Sequence, residues 1–171
     1  MRFTKLKHNI LQTKFDKALQ KSTDNRMVSQ KKIQSVGILT SEEIFSKLDI
    51  TSIIEEVLEV RNAKIYSFRP YSKLDEFSYK HFSENDINWK GTFVQENFES
   101  FLQQPFDLLI GYFNKPNLYI ESAVLQSKAT FKVGFSNVNS NLFEIEISED
   151  ILHINEFTLE LKKYLQIIKK L

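Results

Sequence analysis

The sequence predicts a three-layer α/β domain built on a mostly parallel five-stranded sheet. Three observations carry this. The run 106–113, FDLLIGYF, is apolar almost throughout and of strand length, the pattern of a strand covered on both faces. It leads through the turn Asn114-Lys115-Pro116-Asn117 and a helical stretch into a second short strand, FKVGF at 131–135, and strands joined by a crossover helix run parallel. The segment 36–68 repeats that strand–helix–strand plan, and two such units in sequence argue for a doubly wound sheet.

Taken in order, residues 4–21 read as a helix. Leu11, Phe15, Ala18 and Leu19 fall at helical spacing, with Phe3, Leu6 and Ile10 on an adjoining stripe. Ser22-Thr23-Asp24-Asn25 reads as its end, and 27–34 as a polar linker. Val36 to Thr40 (36–40) forms the first strand. Ser41 with Glu42 and Glu43 opens a helix whose apolar positions include Ile44, Leu48, Ile53, Ile54 and Val57. AKIYSF at 63–68 is the second strand, stopped by Arg69-Pro70. The polar-aromatic stretch 71–91 reads as a long loop, and 94–104 as a short amphipathic helix through Phe98, Phe101 and Leu102.

Pro105 opens the central strand, where its missing N–H costs nothing, and Asn114 is expected to cap the helix 118–128. LFEIEI at 142–147 alternates apolar with acid, as an edge strand with one wet face does. Asn155 caps a last helix with the stripe Phe157, Leu161, Leu165 and Ile168. The expected strands are thus 36–40, 63–68, 106–113, 131–135 and 142–147, a Rossmann-like arrangement over 36–171 with residues 1–35 as a basic helical appendage. Asp107 is the only charge in the central strand. Near its amino end, Asp107 is expected to accept backbone N–H groups or pair with a lysine.

Composition narrows function by exclusion. The 171 residues contain fifteen Phe, six Tyr and one Trp but no Cys, so thiolate catalysis, disulfides and cysteine zinc sites are excluded. His8, His81 and His153 lack a second ligand at metal-binding spacing, and the four glycines are too scattered for a phosphate-binding loop. Neither metal nor cofactor is expected, and a non-catalytic protein is favoured over an enzyme. With no apolar leader or span, a cytoplasmic location is expected.

The net charge of +1 conceals an asymmetry. Residues 1–35 hold nine Lys and Arg against Asp16 and Asp24, net +7, and the remainder is net −6. A basic leader on an acidic body suits an anionic partner, through Lys5, Lys7, Lys14, Lys17 and Lys21. RNA or the ribosome is the candidate, with a protein partner for the helix as the alternative. A second candidate surface is a ligand cleft. Asn114, Lys115 and Asn117 stand at the carboxyl end of the central strand, where open α/β sheets bind ligands. Tyr79, His81 and Trp89 are aromatic groups among lysines, able to stack on bases or a sugar face. Turn formation and loop clamping explain the same residues without a ligand.

The stretch FDLLIGYFNKPNLYIESAVLQSKATFKVGF, within roughly residues 105–136, resembles the N-terminal half of bacterial heptosyltransferases, which are GT-B glycosyltransferases. That resemblance implies a degenerate nucleotide- or sugar-binding half-domain. The chain departs from the pattern at Ser41-Glu42-Glu43, where a glycine-rich loop would stand, and its 171 residues hold no second Rossmann-like half. The basic leader, FSENDINWKG and FDLLIGYFNK…KVGFS together resemble short bacterial proteins carrying a domain of unknown function, which implies a fold and no activity.

Overall fold

The computed structural model describes residues 2–24, 29–73 and 80–171. Six strands form one sheet: β1 (Val36–Ser41), β2 (Lys64–Phe68), β3 (His81–Phe82), β4 (Leu108–Tyr112), β5 (Lys132–Phe135) and β6 (Ile145–Ile147). Every pairing is parallel, and the order across the sheet is β3-β2-β1-β4-β5-β6. The chain builds outward from β1 to β3, returns, and builds outward again from β4 to β6. This is the doubly wound Rossmann-like order, with its switch point between β1 and β4.

Helices cover both faces because both faces are apolar. Residues of β4 alternate between the two layers: Leu108, Ile110 and Tyr112 face one, Leu109 the other. The first layer holds α3 (Ile50–Leu58) and α6 (Ile154–Ile167), which bury Ile54, Leu58, Phe157, Leu161 and Leu165. The second holds α1 (Arg2–Asp24), α4 (Glu96–Gln103) and α5 (Leu118–Gln126) over a cluster dense in phenylalanine. There the Phe82 and Phe98 rings stack at 4.1 Å, and Phe93 meets Phe98 edge-on at 5.0 Å. The turn-length helix α2 (Glu42–Phe45) leaves the end of β1.

The expected count of five mostly parallel strands is corrected to six, all parallel. The sixth, β3, lies inside the stretch read as a long loop. Only two residues long, it carries no periodic pattern; it is held by Ser67 N–H to the Lys80 carbonyl and Arg69 N–H to the Phe82 carbonyl, both at 2.9 Å. The edge strand at 142–147 is shorter than expected, because Leu142 closes a 3-10 turn and Phe143 turns into the core. Gly111 and Gly134 leave the slot that the Phe143 ring fills; a Cβ on Gly111 would lie 2.8 Å from its Cζ.

Three capping expectations also change. Asn117, not Asn114, caps α5, its Oδ1 accepting the Tyr119 and Ile120 N–H groups at 3.0 and 3.1 Å. His153, not Asn155, precedes α6, and Ser41 makes no side-chain cap on α2. The first helix runs on through Ser22 to Asp24, with the Thr23 hydroxyl donating to the Leu19 carbonyl at 2.8 Å. The remainder of the expected break, at 25–28, lies outside the described residues.

Residues 1–35 were expected as an appendage, yet the described part contributes to the core. Leu11, Phe15 and Leu19 are buried in the phenylalanine cluster, whereas Ala18 is exposed. Ile33 is buried beneath the other face, its N–H donating to the Lys170 carbonyl at 3.0 Å. No helix among the described residues is long and apolar enough to cross a membrane.

Candidate functional site

The switch point opens a crevice of about 760 Å³ between the carboxyl ends of β1 and β4. Asn114, Lys115 and Asn117 line it together, as the end of a buried parallel strand requires. Facing them are Glu42 and Glu43 from α2, and Phe113, Ile120 and Leu152 supply apolar wall. Its charges balance locally. The hydrogen bond from Lys47, the Lys47 charge and the nearby Lys115 charge hold the Glu43 carboxyl below its usual range. The first-turn donors of α5 are spent on Asn117, and acidic side chains stand at the start of α2. Those features disfavour a phosphate and leave a crevice suited to an uncharged polar ligand.

The aromatic candidates do not gather here. Tyr79 lies outside the described residues. His81 is not part of the crevice wall; it sits behind Arg69 in a chain of contacts that the sequence did not foretell. The Arg69 guanidinium forms an ion pair with Glu42, Nε lying 2.6 Å from the carboxylate, an Arg69 Nη donates to His81 Nε2 at 2.8 Å, and His81 Nδ1 meets the Ser67 hydroxyl. A guanidinium has only hydrogens to give, so Nε2 must accept and Nδ1 carries the proton. The polarity is therefore opposite to that of a serine nucleophile, whose histidine must present a bare nitrogen to the hydroxyl. Ser67 is also fully buried. The chain of contacts pins β3 to the sheet. Its sequence signal was Arg69, a charge directly after a buried strand.

The lysines of the first helix occupy a second surface. Lys5, Lys14, Lys17 and Lys21 are exposed, while Lys7 bends back to donate to the Glu84 carbonyl at 3.1 Å. Lys14 and Lys21 border a groove of about 670 Å³ between α1, α5 and the turn that carries Lys90. That turn is a small hairpin: Ile87 bridges Phe93, and Asn88 Oδ1 accepts the Lys90 and Thr92 N–H groups at 2.9 and 3.1 Å. Gly91 takes a φ of 83°, and its carbonyl accepts from Gln126 of α5 at 2.7 Å. Trp89, at the hairpin tip, is 46% exposed.

Among the described residues no cluster of His, Asp or Glu is arranged to hold a metal ion. A family model described as a family of unknown function (DUF6913) matches residues 7–168, from within α1 to the end of α6. The chain belongs to this family. The matched region takes in most of the first helix as well as the sheet, so Lys14, Lys17, Lys21 and the crevice fall inside it, while Lys5 lies just before it. No curated protein and no solved structure matches the chain.

Proposed function

We propose that this protein is a non-catalytic binding module that docks an anionic polymer, RNA or the ribosomal surface among them, on the lysine face of α1. The carrying observation is the anchoring of that helix. Leu11, Phe15 and Leu19 are 2%, 5% and 6% exposed in the core, so Lys14, Lys17 and Lys21 form a fixed surface of the body instead of a trailing basic tail. A pre-ordered row of cations loses less side-chain and backbone freedom on binding than a disordered one. Phosphate contacts made this way release counterions, so affinity must fall steeply with salt.

The test is binding of the full chain to bulk RNA across a salt series, beside a variant with Lys14, Lys17 and Lys21 replaced by alanine. Deleting the leader is the wrong experiment, since it would strip the buried side chains of Leu11, Phe15, Leu19 and Ile33 from the core. Affinity independent of salt, or unchanged in the triple variant, overturns the proposal.

A second reading rests on the crevice at the switch point. Its balanced charge and apolar wall suit a neutral sugar better than a nucleotide diphosphate. A thermal-shift screen of sugars and nucleotides decides it, because a ligand selective for the folded state raises Tm by mass action. Stabilisation by nucleotides alone would contradict the charge argument.

A further inference from the structure

We infer that the groove between α1, α5 and the 87–93 hairpin is a binding site for single-stranded nucleic acid, with a backbone phosphate in the groove and a base stacked on Trp89. The inference rests on the anionic-polymer reading and narrows it to one ligand class.

Two independent features stand in and beside this groove: cations line it, and Trp89, outside the lining itself, precedes Lys90 on the hairpin that borders it. The first is a convergence of cations from separate elements: Lys14 and Lys21 from α1, and Lys90 from the hairpin. Hydroxyls accompany them. Thr92 and Ser122 line the same groove. A phosphodiester brings acceptor oxygens to such donors, and three ammonium groups meet its charge.

The second feature is the ring beside the cations. Trp89 is the only tryptophan in the chain, and it stands exposed one residue from Lys90. Its position is held rigidly. The Asn88 carbonyl accepts the Gly91 N–H at 3.0 Å, its side chain accepts two more, and Gln126 ties the hairpin to α5. A large apolar ring kept in water on a braced turn, next to a cationic groove, is the arrangement by which proteins bind single strands. Cations track the backbone and an aromatic face takes a base of any identity. Duplex offers its phosphates but not its base faces, so stacking selects the single strand.

Trp89 also supplies the readout, because stacking of a base on the only indole quenches its emission. Titrate the full chain with a short oligouridylate, with inorganic polyphosphate and with duplex RNA, following tryptophan fluorescence and, separately, the anisotropy of labelled RNA. The expected result is saturable quenching by oligouridylate alone. Trp89→Ala should weaken the oligonucleotide about tenfold, while Trp89→Phe, which keeps a π face, retains most of the affinity. The double variant Lys14→Ala, Lys90→Ala should flatten the salt slope by about 0.7 per lost phosphate contact. All these side chains are exposed, so the variants fold, which a melting curve checks. Polyphosphate or duplex binding as tightly as oligouridylate, with Trp89→Ala silent, overturns this inference and leaves the anionic-polymer reading standing. Quenching unaffected by the double lysine variant also overturns it. Absence of binding to all three probes overturns both.

Discussion

Ser35 and Asp107 clasp each other at the amino edge of the sheet. The Ser35 N–H and hydroxyl both donate to Asp107 Oδ2 at 3.0 Å, and the Asp107 N–H donates back to the Ser35 hydroxyl oxygen at 3.0 Å. Gln34 N–H adds a further bond to Oδ2 at 3.1 Å, and Lys31 pairs with Oδ1 at 3.1 Å. The clasp joins the segment before β1 to the start of β4 and so helps fix the register of the two central strands.

Asp107→Asn should therefore lower stability by about 1–3 kcal/mol, because an amide in that position turns one acceptor into a donor facing donors. Lys31 is 65% exposed, so its pairing contributes little of that. Burial pushes the Asp107 carboxyl up, but the Lys31, Gln34 and Ser35 donors together outweigh it and hold it below the usual range. A depressed folded-state value means the stabilisation is present above the ordinary carboxylate value, about 3.9, and is lost as pH falls through the folded one. Urea denaturation of both proteins between neutral and acid pH checks this. A variant whose stability matches the parent at neutral pH sinks the idea.

Glu121 should behave in the opposite sense. It is 7% exposed in α5, and burial pushes its carboxyl up against the lowering by the Asn139 and Asn117 N–H groups. A raised folded-state value gives stability that is full at acid pH and is lost as pH rises through it. Glu121→Gln keeps an oxygen for the Asn139 N–H, which now donates at 3.3 Å, and removes the buried charge. Its Tm should exceed the parent's at neutral pH and converge with it in acid. Equal or lower Tm at neutral pH would show that the carboxylate is better solvated than its burial implies.

Gly134→Ala tests the slot beneath Phe143. A Cβ there collides with the Phe143 ring, and the ring is locked between two strands. Overpacking of this kind costs about 1–3 kcal/mol. Adding Phe143→Leu to the same chain should recover part of the loss, since the smaller side chain vacates the collision. Additive losses in the double variant would locate the strain elsewhere.

The Glu42–Arg69–His81–Ser67 chain makes a prediction about local opening. Arg69→Met keeps the aliphatic stem but removes the donor to His81 and the charge that pairs with Glu42, so β3 should detach more readily from β2. Hydrogen exchange at the Ser67 and Arg69 amides, which bond to Lys80 and Phe82, should speed up while exchange at the β4 amides holds steady. Unchanged protection at those two amides would mean that backbone pairing alone retains the short strand.

By itself the sequence determined the class of the fold and the identity of its central strands. Unbroken apolar runs such as 106–113 can be buried only between two layers, and Pro105 and Pro116 mark where each element stops. The role of Asp107 was legible for the same reason, since a lone carboxylate in such a strand must find donors. Asn114, Lys115 and Asn117 could be brought together because they share one turn. Tertiary structure decided what depends on partners distant in sequence. The two residues of β3 become a strand only because Ser67 and Arg69 offer an open edge, and no local pattern records that offer. Lys14, Lys90 and Ser122 converge because α1 and the 87–93 hairpin pack on α5. Side chains so far apart along the chain share no period, and only the burial of Leu11, Phe15 and Leu19 brings them to one groove.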